Sequence, residues 1–140
     1  CAAMSAADAI ASGIIDKDGV GIREFRSFTD AASGFESQKG VSYRGKRWAL
    51  VDVVIIRLPG HPPWKPTGAT LKSKTGEARV RAVKVEPSTQ FPERVRVLVQ
   101  TDVPPPSAGL EFTLHLHGAM GAPPFSIPTV TLPPAKEPKP

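Results

Sequence analysis

Between Leu110 and His117 the chain alternates strictly, with Leu110, Phe112, Leu114 and Leu116 on one side and Glu111, Thr113, His115 and His117 on the other. A period of two puts one set in a dry interior and the other in water, the mark of a half-buried strand and not of a helix. The same alternation sets Val95, Val97 and Val99 against Arg94, Arg96 and Leu98, and aligns Ala49, Val51, Val53 and Ile55 within a strand predicted over residues 48–58. Further strands are predicted over 20–29, 69–74, 77–85 and 127–132, with turns at Thr75-Gly76, 59–64, 86–92 and 118–124. Residues 30–40 read as a polar loop. Within 77–85, Val80 and Ala82 are expected inward, and the switch of apolar phase to Val83 and Val85 predicts a bulge.

Short strands at near-regular spacing, with no helical run between them, predict a mainly β fold, an immunoglobulin-like antiparallel β-sandwich. The Cys…Trp…Cys spacing of antibody domains is absent, so the likeness is one of architecture. Hydrophobic residues make up 40% of the chain, enough for a real core. There are 16 prolines, where average usage of about 5% gives about seven; lacking a ladder donor, they belong at edges, turns and tails. A short N-terminal helix is predicted over residues 1–15, where Ala7, Ile10, Ala11, Ile14 and Ile15 fall on one stripe. So short a helix is marginal alone and needs a surface. The division is therefore a helical appendage over 1–19, a sandwich over 20–132 and a Pro-rich extended tail over 133–140.

A set of short runs adds a resemblance. They are Ala11-Ser12-Gly13-Ile14-Ile15-Asp16 with Gly19-Val20, Tyr43-Arg44, Ala49-Leu50-Val51-Asp52-Val53, Pro63-Trp64 and Ala69-Thr70-Leu71. Arg94-Val95-Arg96-Val97-Leu98-Val99, Phe112-Thr113-Leu114 and Val130-Thr131-Leu132-Pro133 complete the set. In order and spacing the chain is similar to the C-terminal half of a family of exported myxobacterial paralogues that carry a domain of unknown function. The resemblance implies export to the envelope or beyond and a further N-terminal β-rich region, and brings no catalytic residues. The Pro-rich tail departs from the family pattern.

Several sequence features invite a site, and each has a plainer reading. Asp16-Lys17-Asp18-Gly19-Val20-Gly21 resembles the start of a calcium loop, but Val20 replaces an oxygen ligand and Ser27 stands where the bidentate acid belongs, so a helix-stop turn is favoured. His115 and His117 leave one strand face together, yet a metal site needs a third ligand, and neither Glu111 nor His61 is well placed. No G-x-S-x-G setting, phosphate loop or acid–base pair is present, so no catalytic residue, cofactor or metal is expected. Arg79 and Arg81 on one strand, with Arg94 and Arg96 on its expected hairpin partner, form the clearest basic candidate, and Lys84 joins them if the bulge allows. Trp64, between prolines, is a recognition tip or a cap on the core, with the cap favoured.

These readings converge on a noncatalytic protein-interaction or structural domain of an exported bacterial envelope protein. The expected partner is another protein, including the N-terminal region of its own precursor, engaged through sheet edges, end loops and the N-terminal helix. The alternative is a polyanion-binding module using the four arginines. With two Trp, one Tyr and six Phe, mostly buried or in turns, nucleic acid has no visible stacking platform. The longest uncharged apolar run, Val53 to Ile56, is too short to cross a membrane as a helix. The single cysteine, Cys1, precludes an internal disulfide. A trimming boundary there is favoured over a lipid anchor, and the expected location is the periplasm or cell envelope.

Overall fold

The structure, a computed structural model, describes residues 20–62, 64–118 and 124–134. The expected helix, the calcium-loop candidate's Asp16 and Asp18, and the tail beyond Pro134 lie outside the described residues. The rest is mainly β, in two antiparallel sheets.

The large sheet is organised by β5 (Trp48–Arg57), the most apolar run of the chain. One side of β5 pairs over nine positions with β9 (Arg94–Asp102), and β9 in turn carries β8 (Val80–Pro87). The other side is shared by two short strands, β4 (Gly40–Arg44) along its first half and β3 (Phe35–Ser37) along its second. Beyond these lie β1 (Gly21–Phe25) on β4 and β2 (Phe28–Asp30) on β3. These four strands form one long hairpin interrupted midway, since Phe25 faces Gly40 and Phe28 faces Ser37 in a common register. A one-residue slip against β5 accompanies the break: Ser37 faces Ile55, while Val41 faces Asp52.

Two expectations are corrected here. Residues 20–29 are not one strand, and residues 30–40 are not a loop but contain β3. Phe35 is buried in the core and Ser37 is buried with its hydroxyl donating to the Phe28 carbonyl at 3.3 Å, so polar composition concealed a paired strand. The turn at Ala31–Gly34 closes through Gly34, whose φ of 84° is left-handed. A Cβ there would also lie 2.3 Å from the His61 ring.

The small sheet runs β11 (Phe125–Thr131), β10 (Glu111–Gly118), β6 (Pro66–Lys72), β7 (Glu77–Ala78). The segment 77–87 therefore splits: Ala78 pairs with Leu71 in the small sheet, while Val80 pairs with Thr101 in the large one. One bent strand thus joins the two sheets at that margin. The predicted bulge exists but sits at Arg81, one step earlier than the change of apolar phase suggested. Ala82 is consequently exposed and not inward, while Val80, Val83 and Val85 are half-buried on the core side. At the opposite margin β11 runs beside β1: the buried Ser42 hydroxyl donates to the Thr131 carbonyl, and Arg44 Nη1 donates to the Pro133 carbonyl at 3.3 Å.

The core lies between the sheets. Ala49, Val51, Val53, Ile55, Val97 and Val99 meet Phe112, Leu114 and Leu116, as the alternations predict, together with Leu71, Phe125 and Ile127. Two of the sheet edges are blunted against a foreign strand. β8 carries a bulge, Lys84 and a terminal proline, and β11 carries Pro128 within its length.

Candidate functional site

The basic candidate assembles only in part. Arg94 and Arg96 lie on the outer face of β9. Arg96 is held in a bidentate pair with Asp52, at 2.9 and 2.6 Å, and its Nη1 also reaches Glu86 at 3.6 Å. Arg81 makes a second bidentate pair, with Asp102, at 2.8 Å for both bonds. Those bonds hold the Asp102 carboxyl below the usual carboxylate range, and Arg79 adds to the field. Arg94 stacks on Phe91, 4.4 Å from the ring centroid, with Glu93 at 4.0 Å. Fork-to-carboxylate pairing occupies the donors that would grip a phosphate or uronate. The face is a mixed-charge network, not a cationic surface. Sequence spacing showed the arginines but not Asp52 and Asp102, because cross-strand partners are set by register.

Trp64 caps the core. Its ring lies 4.4 Å from Phe35 by centroid and packs against the main cluster.

The outer face of the large sheet holds an unexpected feature. Leu50 and Leu98 project away from the sandwich core, yet both are 0% exposed. Leu98, expected on the wet side with Arg94 and Arg96, belongs to a second apolar cluster under Tyr43 and Trp48. Trp48 lies back over Gly45, where a Cβ would come within 2.5 Å of the indole. Burial first, and then the Asp52 carboxylate, push the Tyr43 phenol above its ordinary pKa, with Arg96 opposing. Ile22, the register partner of Tyr43, extends this cluster to the sheet margin and is 49% exposed. Lys46 and Arg47, in the turn before Trp48, are exposed, and among the described residues neither has an ion-pair partner.

The two histidines leave one face of β10 but diverge. His115 Nδ1 lies 2.7 Å from Ser126 Oγ on β11, whereas His117 Nε2 lies 3.1 Å from Thr70 Oγ1 on β6. Among the described residues no three His, Cys, Asp or Glu side chains gather as metal ligands would. Burial above all, and then the nearby His117 and Lys72, lower the His115 pKa below its ordinary value. A lowered folded-state pKa contributes stability that is present above the unfolded value and lost as pH falls through the folded one. Wild-type urea midpoints should therefore drop between about pH 7 and pH 5, and His115→Gln should flatten part of that drop. An identical slope in the variant would remove His115 as a contributor.

Comparison with known proteins adds one finding. Residues 1–130 match the family described as protein of unknown function (DUF2381). The chain belongs to that family. The match includes the arginine-bearing strands, the outer apolar cluster and most of the small sheet. No curated protein and no solved structure matches it. The family brings no assigned residue, so the site rests on the geometry above.

Proposed function

We propose that this chain is a noncatalytic protein-interaction domain of an exported envelope protein, and that the outer face of its large sheet receives the partner. The observation that carries the reading is the second apolar cluster. The solvent face of a sandwich is ordinarily polar, yet here Leu50 and Leu98 are sealed beneath Tyr43 and Trp48 with Ile22 exposed beside them. An aromatic pair over an apolar floor is the composition of a binding hot spot. The cations Lys46 and Arg47 at the rim favour a partner whose apolar segment has an acidic flank. The blunted edges of β8 and β11 speak against strand addition, so the face is favoured over the edges. Carboxylate pairing of Arg81 and Arg96 likewise speaks against the polyanion reading.

Site-specific photo-crosslinking in the native cell tests this. A crosslinker at position 22 is expected to trap a discrete protein adduct, lost on Tyr43→Asp, while a crosslinker at Glu77 on the small sheet traps none. Equal adducts at both positions, or none at 22, would defeat the interface. Fractionation of the chain to the cytoplasm would defeat the envelope assignment. Retention on immobilised heparin that Arg81→Ala and Arg96→Ala abolish would revive the polyanion reading.

A further inference from the structure

An open groove of about 520 Å³ runs along the exposed side of the small sheet, within the size range of small-ligand sites. One wall is the end of β6, with Lys72, and the β6–β7 turn, with Lys74. The other is formed by β10 and by the chain that enters it after a single 3₁₀ turn, Pro106–Ala108. Leu110 and Pro128 supply apolar surface, Ala108 is buried beneath the wall, and His115 stands among the lining residues.

Two features set this groove apart from a casual depression. Its walls are tied together. Thr75 Oγ1 donates to the Ser107 carbonyl at 2.5 Å, and the turn is closed by Ser73 N to the Gly76 carbonyl at 2.8 Å. Gly76 packs on Ala108 so closely that a Cβ there would lie 2.8 Å from the alanine methyl. Preformed walls reduce the ordering cost of binding. Its cations, moreover, are available: among the described residues neither Lys72 nor Lys74 has an ion-pair partner. Arg81 and Arg96, by contrast, are committed to carboxylates.

We propose that this groove binds a compact organic monoanion, a carboxylate on an apolar body. The anionic end lies toward Lys72 and Lys74, and the body rests on Leu110 and Pro128. The charge count selects a monoanion. Glu111 lines the same groove and offsets one lysine, and His115 is held toward its neutral form, leaving a single net positive charge. His115 Nδ1 is tied to Ser126, which leaves Nε2 as the ring nitrogen a ligand can engage. The charged groups acting on His115 are His117 from β10 and Lys72 from β6, with Glu111 farther along β10 in the same groove, and an added anion raises its pKa.

The test uses the full chain and three probes: benzoate, acetate without the ring, and benzyl alcohol without the charge. Benzoate is expected to bind about tenfold more tightly than either, and to raise the His115 pKa read by its imidazole NMR signals. The double variant Lys72→Ala/Lys74→Ala is expected to reduce benzoate to the level of benzyl alcohol. Lys72→Gln/Lys74→Gln serves if the alanine pair disturbs folding. Benzoate binding no better than benzyl alcohol, an unmoved His115, or full binding in the lysine variants would overturn the proposal. Ile22→Asp and Tyr43→Asp on the other sheet are expected to leave benzoate binding unchanged, so failure here and failure of the protein interface are read separately.

Discussion

Leu98→Ala is expected to destabilise the fold by about 2–4 kcal/mol, as much as truncating a leucine in a protein core. Alternation along β9 assigns Leu98 to the same face as Arg94 and Arg96, where truncation would change stability by about 0.5 kcal/mol or less. The structure reverses that expectation, because Leu98 is 0% exposed and is sealed with Leu50 under Tyr43 and Trp48. Removing three carbons leaves a void that two half-exposed aromatic rings collapse into only partly, which places the estimate below the top of the range. Urea denaturation monitored by tryptophan fluorescence and by far-UV circular dichroism measures it. A loss under about 0.5 kcal/mol would show that the outer cluster is not a packed unit, and would remove the main support for the interaction face.

The second large effect is at Phe125. Phe125→Ala is expected to cost about 3–5 kcal/mol, a large share of the roughly 5–15 kcal/mol that holds a domain of this size folded. Phe125 is 0% exposed, and its ring centroid lies 5.6 Å from Phe35 and 6.2 Å from Phe28. It links β11 of the small sheet to the short β2–β3 part of the large one, so the void opens between the sheets. Phe91→Ala is the matched control: that ring is 44% exposed and has Arg94 stacked on it. Its loss should cost about 1 kcal/mol or less, the worth of an exposed cation–π contact. Similar midpoint shifts for the two variants would contradict the placement of the inter-sheet core.

The two predictions mark where sequence reading succeeds and where it stops. Phe112, Leu114 and Leu116 are all buried, as their alternation requires, because a pleated strand offers each residue only two sides. Leu110, expected on the same dry side, is only partly buried and lines the open groove, because it precedes the start of β10. The strand containing Val80 is legible in the sequence but its division between two sheets is not, because a bend at Arg79 leaves no compositional trace. β3 is not legible in the sequence, because Ser37 and Glu36 look like loop residues until Phe35 pairs with Arg57. The arginines were legible as a patch, but their partners were not: Asp52 lies 44 positions from Arg96 in the chain and hydrogen-bonds to it across two strands. Lys72 and Lys74 carry no signal in the sequence, since two lysines by a turn are ordinary until a second segment, around Ala108, closes a groove against them.

The strict alternation between Leu110 and His117 is therefore what the chain determined by itself: strands, their dry sides and a mainly β fold. Period is a local property, written in neighbouring residues, and hydrophobic burial enforces it without reference to distant segments. Only the tertiary structure decided which strands adjoin, and through that which charges cancel, which leucines on an outer face are sealed, and where a groove opens. Register and sheet order join residues tens of positions apart, and a shift of one position would exchange every such pairing while leaving the pattern along each strand unaltered.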